Sequence, residues 1–145
     1  MKSVLVIAED TETLKVIGEC LRPEYRADYA PAKEACLEAP RKKRYEFIFI
    51  DLSSLRGHKF SNGYFDYKSA LQPFWYNYPI SEIIVMTRPD MIREAVMAVK
   101  AGASNYITYP IHPDELRYVK DSLQEASKLQ HELEYLRDSF WQSDS

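Results

Sequence analysis

Glycine is scarce in this chain, with four in 145 residues, and none follows the first apolar run. That removes the Gly-rich turn that cradles the phosphates of a bound nucleotide. Cysteine is scarcer still. Cys20 and Cys36 stand alone, match no metal or redox spacing, and read as reduced thiols of a cytoplasmic protein. No apolar run approaches the roughly 20 residues that a membrane helix needs. The opening "MKSVLVIAED" turns acidic too early for a secretory leader. The net charge of -3 is too weak to draw nucleic acid or a membrane surface. There is no internal repeat, low-complexity tract or interior linker. What remains is 46% hydrophobic and 28% charged, the composition of one globular domain with a real core.

Apolar runs of strand length carry the organisation. "SVLVIA", "YEFIFIDL" and "SEIIVMT" are nearly continuous, as expected of strands buried on both faces. "ADYA" and "NYIT" are shorter, weaker strands. Helical spacing lies between them. "TETLKVIGECL" places Leu14, Ile17 and Leu21 on one face, with Thr11 as the expected N-cap and Pro23 beyond its end. "APAKEACLEAPRKKR" reads as a second helix closed by Pro40, with residues 41–44 a solvated turn. Residues 53–64 read as a Ser- and Gly-containing loop, and residues 65–76 as a third helix stopped near Pro73. "DMIREAVMAVKAGA" is the fourth helix, ended by Gly102, and a long fifth helix begins near Pro113. Strand and helix alternate five times. This predicts an α/β fold, a parallel sheet with helices on both faces and right-handed crossovers.

In an open sheet of that kind, ligands bind at the carboxyl ends of the strands. The residues there are Glu9 and Asp10, Asp51, Thr87 and Arg88, and Thr108 and Tyr109. Clustered carboxylates repel one another, and a hard cation such as Mg²⁺ relieves the repulsion while favouring phosphate oxygens as further ligands. An aspartate beside it can act as a nucleophile toward a phosphoryl group.

The stretches "VLVIAED", "FIFIDLSS", "IIVMT" and "AVKAGASNYIT", with Pro110 after the last, resemble a response-regulator receiver domain of two-component signalling. The resemblance covers about residues 1–127. It implies a flavodoxin-like, doubly wound sheet of five strands in the order 2-1-3-4-5. It implies that Asp51 accepts the phosphoryl group. Glu9 and Asp51, the backbone carbonyl of Ser53 and, further, Asp10 would hold Mg²⁺. Thr87 would be the switch hydroxyl and Tyr106 the switch aromatic. A histidine kinase or phosphotransfer protein would be the donor, and the domain would signal without being an enzyme.

Departures from the family pattern are as informative. Ala8 replaces the first acid of the usual pair, and Leu55 stands where the family has a proline. Arg88 replaces a small residue. It is a candidate phosphate contact, with Asp90 or Glu94 as competing partners. Tyr109 occupies the position of the family's lysine. A phenol, with an ordinary pKa of about 10, is neutral at pH 7 and cannot stand in for a cation.

Residues 128–145 extend the last helix. Leu116, Val119, Leu123 and Ala126 form one stripe; Leu129, Leu133, Leu136 and Phe140 form a second, shifted in phase. The second stripe suits a short coiled coil in a homodimer built through the fourth and fifth predicted helices. "LQHELEYLRDSF" resembles the linker of NtrC-like transcription activators, which would make this chain a regulatory segment controlling transcription through an output domain. The expected function is therefore a receiver with slow or impaired phosphorylation at Asp51. The competing reading is a pseudo-receiver that docks or dimerises without phosphate.

Overall fold

The computed structural model describes residues 1–57 and 64–143. Five parallel strands form one sheet in the order β2-β1-β3-β4-β5. They are β1 (Lys2–Ile7), β2 (Tyr25–Ala30), β3 (Phe47–Asp51), β4 (Glu82–Thr87) and β5 (Asn105–Thr108). The helices are α1 (Thr11–Leu21), α2 (Glu34–Leu37), α3 (Leu52–Arg56), α4 (Tyr67–Asn77), α5 (Ile92–Ala101) and α6 (Pro113–Ser143). A 3-10 turn at Pro89–Met91 leads into α5. This is the expected flavodoxin-like order.

The alternation of each strand explains the continuous apolar runs. Leu5, Ile7, Ile48, Ile50, Ile83 and Val85 face one core, which also takes Leu55, Leu71, Phe74 and Ala95. Val4, Val6, Phe47, Phe49, Ile84 and Met86 face the other, against Ile17, Leu21, Leu116 and Val119. Both faces are dry, so neither has use for polar residues.

Four local expectations need correction. Asp10, not Thr11, caps α1: it has extended backbone and its carboxylate accepts from the Glu12 amide at 3.1 Å and the Thr13 hydroxyl at 2.9 Å. The second helix shrinks to Glu34–Leu37, because Pro31 and Pro40 bracket it and disfavour helical backbone just before them. Residues 41–44 are not simply solvated: the Lys43 ammonium reaches Asp28 at 2.8 Å, and Arg41 Nη2 donates to the Tyr29 carbonyl at 3.0 Å. The third predicted helix does not stop at Pro73 but runs through it. Burial of Leu71 and Phe74 on either side outweighs the lost backbone bond.

The expected loop at 53–64 is also partly wrong. Residues 53–56 are helical, in α3, and residues 58–63 lie outside the described residues. At the other end of the domain, α5 closes on Gly102 with φ +130°, and a Cβ there would meet the Trp75 ring at 2.5 Å. Glycine is required at that position by both backbone and space.

Helix α6 has 31 residues, about 46 Å at the usual rise. Leu116 and Val119 are buried against the sheet, and Leu123 packs at the margin of the same core. Beyond that the helix continues unbroken with its second stripe open: Leu129 is 51% exposed and Leu133, Leu136 and Phe140 more so. Ala126, read from sequence as part of the first stripe, is exposed. None of the described helices is long and apolar enough to cross a membrane.

Candidate functional site

The carboxyl ends of β1, β3, β4 and β5 meet on one rim. Asp51 is the last residue of β3 and also the N-cap of α3. Its Oδ2 accepts from the Ser53 amide at 2.9 Å. Its Oδ1 accepts from the Tyr109 hydroxyl at 2.7 Å, across 58 residues of sequence. Tyr109 reaches it because β5 ends at Thr108 and the Tyr109 amide donates to the Thr87 carbonyl at 2.9 Å, extending the β4–β5 pairing by one residue. The phenol packs at the edge of the core under α1 and α6. Burial first, then the hydrogen bond and charge of Asp51, push its pKa well above the ordinary tyrosine value. Tyr109 is therefore a fixed neutral donor.

A cleft of about 530 Å³ opens beside this pair, lined among others by Glu9, Asp10, Asp51, Ser53, Arg88 and Tyr109. A second, of about 290 Å³, shares Asp51, Ser53 and Arg88 with it and takes in Thr87 and Arg56. The rim thus gathers nearly every residue expected there. Thr87 is buried, its hydroxyl turned to the Arg88 carbonyl at 3.1 Å. Tyr106 is half-buried against the core on the α3–α5 side. Arg88 points elsewhere: its Nε donates to Asp90 Oδ1 at 3.0 Å, and its Nη2 pairs with Asp90 Oδ2.

The donors do not form a ready divalent-cation site. Ala8 supplies no oxygen from its side chain. Both Asp10 oxygens are turned to the start of α1. The Ser53 carbonyl accepts the Gly57 amide at 2.9 Å, inside α3. Among the described residues, no three His, Cys, Asp or Glu side chains come together to hold a metal ion. Glu9, Glu34 and Asp51 also line the cleft.

Arg56 was missed by the sequence reading, because it fell in a stretch taken for a loop. The signal was present in "DLSSLRG": Leu52 and Leu55 are three apart, a cap precedes them and a glycine follows.

No family model matches the chain. The alginate biosynthesis transcriptional regulatory protein AlgB of Pseudomonas aeruginosa is 27% identical over 139 residues, 93% of this chain and 28% of that protein. A response regulator from Burkholderia pseudomallei, solved with a phosphorylated aspartic acid, a calcium ion and citrate, is 26% identical with a TM-score of 0.64. That match covers 90% of this chain and 75% of the other. In sequence and fold the chain is similar to response regulators and their receiver domains. NtrX from Brucella abortus shares its fold, with a TM-score of 0.74 at 22% identity over 94% of this chain and 30% of NtrX. The chain spans just over a quarter of AlgB's length.

The raised pKa of Tyr109 fixes the sign of a pH effect. A group whose pKa is raised on folding stabilises the fold below its unfolded value and loses that contribution as pH climbs beyond it. For Tyr109 the contribution holds through neutral pH and declines above about 10. Tyr109→Phe should therefore cost about 1–2 kcal/mol at pH 7 by urea denaturation, and the gap to wild type should narrow on the alkaline side. Absorbance titration of tyrosinate should show one late-ionising phenol fewer in the variant. An unchanged titration curve would contradict the Tyr109–Asp51 bond.

Proposed function

We propose that this receiver is the regulatory module of a two-component response regulator, that Asp51 is its phosphoryl acceptor, and that acceptance is slow. The single observation behind this reading is the bond from the Tyr109 hydroxyl to Asp51 Oδ1 at 2.7 Å. In acyl-phosphate formation an Asp51 oxygen attacks phosphorus. The bond from phosphorus to the donor nitrogen breaks, and the leaving group departs with its electron pair. Negative charge on the phosphoryl oxygens has to be met by donors already in place. A lysine would bring a full positive charge. Tyr109 brings one neutral hydrogen bond, already spent on the nucleophile. Removing a single well-placed donor of this type typically slows a reaction on the order of 10²–10³-fold.

The phosphate donor in this reading is a histidine kinase or phosphotransfer protein in the cytoplasm. Glu9 and Asp51 would hold Mg²⁺, and with the Ser53 carbonyl and Asp10 engaged elsewhere, and both Asp51 oxygens already accepting hydrogen bonds, its binding is weak. Thr87 and Tyr106 are the switch pair whose two arrangements would be biased by phosphate on Asp51, altering the face of α5, β5 and α6. The name of AlgB favours transcription as the output. A homodimer through α5 and α6 would cover the exposed Leu129, Leu133, Leu136 and Phe140.

A second reading, a pseudo-receiver that works without phosphate, draws support from the commitment of Asp51, the Ser53 carbonyl and Arg88 to internal partners. Intact-mass spectrometry separates the two. With a small phosphodonor and Mg²⁺, wild type should gain one phosphoryl group slowly, and Asp51→Asn should gain none. Prolonged incubation with no gain would remove Asp51 as acceptor; rapid stoichiometric gain would remove the impairment. The dimer has its own test. Light scattering should give a larger mass for the full chain than for a version ending at residue 127, beyond the difference in length. Two monomers would contradict it.

A further inference from the structure

Arg56 ends α3, five residues after Asp51, and its side chain is 15% exposed. Its Nη1 lies 3.8 Å from Glu94 Oε1 on α5, too far for a hydrogen bond. That oxygen is already taken by the Tyr67 hydroxyl on α4, at 2.7 Å. Burial and the Glu94 carboxylate push the Tyr67 phenol upward, so it stays a donor. The guanidinium otherwise rests over the Phe65 ring, 5.4 Å from its centre. Among the described residues its buried Nε has no hydrogen-bond partner.

A buried donor without a partner is rare, because the lost hydration is not repaid. Here the donor belongs to a cation on the wall of the 290 Å³ cleft that also holds Asp51, Thr87 and Arg88. The guanidinium fork suits the oxygens of a tetrahedral oxyanion. Of the two arginines on that wall, Arg88 is 71% exposed and fully engaged by Asp90, whereas Arg56 is mostly covered, with a buried Nε, and only loosely paired.

We infer that Arg56 forms an oxyanion subsite beside Asp51, taking over the charge contact that Tyr109 cannot make. The inference rests on the reading of Asp51 as acceptor for its biological use, but not for its chemistry. With an oxyanion in the cleft, Arg56 leaves Glu94 and turns its free donors to the anion. Glu94 then keeps only Tyr67, so occupancy beside Asp51 alters what holds α5. Without an anion, the negative charge of Asp51 on the same cleft keeps the subsite weak.

The test uses the full chain and tungstate, a tetrahedral oxyanion, followed by calorimetry in an Asp51→Asn background where no acyl phosphate can form. Adding Arg56→Gln should weaken tungstate binding about tenfold or more, the scale of one charge-assisted bond. Arg56→Lys should retain most of it, Arg88→Gln should change it less than about threefold, and Glu94→Gln should tighten it. Equal binding with and without Arg56→Gln, or no tungstate binding to the parent, overturns the subsite. If Arg56→Gln fails to unfold cooperatively, Glu94→Gln decides: tighter binding supports the inference and unchanged binding overturns it. Beryllofluoride, added to wild type, reports the acceptor role separately. Its failure alongside Arg56-dependent tungstate binding would remove the acceptor reading and leave the subsite standing.

Discussion

A hydrogen bond between two residues 58 apart, Tyr109 and Asp51, sets the character of this domain. It joins the end of β3 to the end of β5 across β4. It also fixes the charge balance of the rim. A lysine at that place would neutralise the Asp51 carboxylate; a phenol orients it and leaves its charge. Because the phenol is buried and faces a carboxylate, losing its proton would place two negative charges side by side in a poorly solvated site. The donor is thus locked in the neutral form throughout the physiological range.

The rest of the fold serves to hold those ends still. Two dry cores clamp the sheet, so the strand termini are placed by many buried aliphatic contacts rather than by the loops that follow. Asp51 has a double duty as strand end and helix cap, which ties its carboxylate to the Ser53 amide and draws α3 close. The same helix positions Arg56 toward α5. Structural needs and chemistry therefore compete for the same few groups. The Ser53 carbonyl is a case in point: it closes α3 on Gly57 and is not held out to the cleft.

Much of this was legible in the sequence because burial on both sheet faces writes itself as unbroken apolar runs. "FIFID" and "IIVMT" allow hardly any other reading, and the alternation of strands and helices predicts a parallel sheet; the order of its strands came from the resemblance to receivers. The errors fall where local signals compete. Asp10 and Thr11 are both good caps, and only the backbone conformation chooses between them. Pro73 is a breaker by its chemistry, yet Leu71 and Phe74 bury deeply enough to carry the helix through it. "LSSLR" is too short for a clear helical period and was hidden by its serines. At the site, the strand-end residues could be named one by one. Their pairing could not. Which phenol meets which carboxylate depends on how far β5 runs past β4, and that register is a property of the folded sheet.

The most direct measurement is the rate of phosphoryl gain at Asp51 in Tyr109→Lys against wild type, followed by intact mass with the same donor. The account expects the lysine variant to react at least about tenfold faster, since a cation replaces a neutral donor beside the carboxylate. Equal rates, in a variant that folds as stably as wild type, would contradict the claim that the missing charge at position 109 limits phosphoryl gain at Asp51.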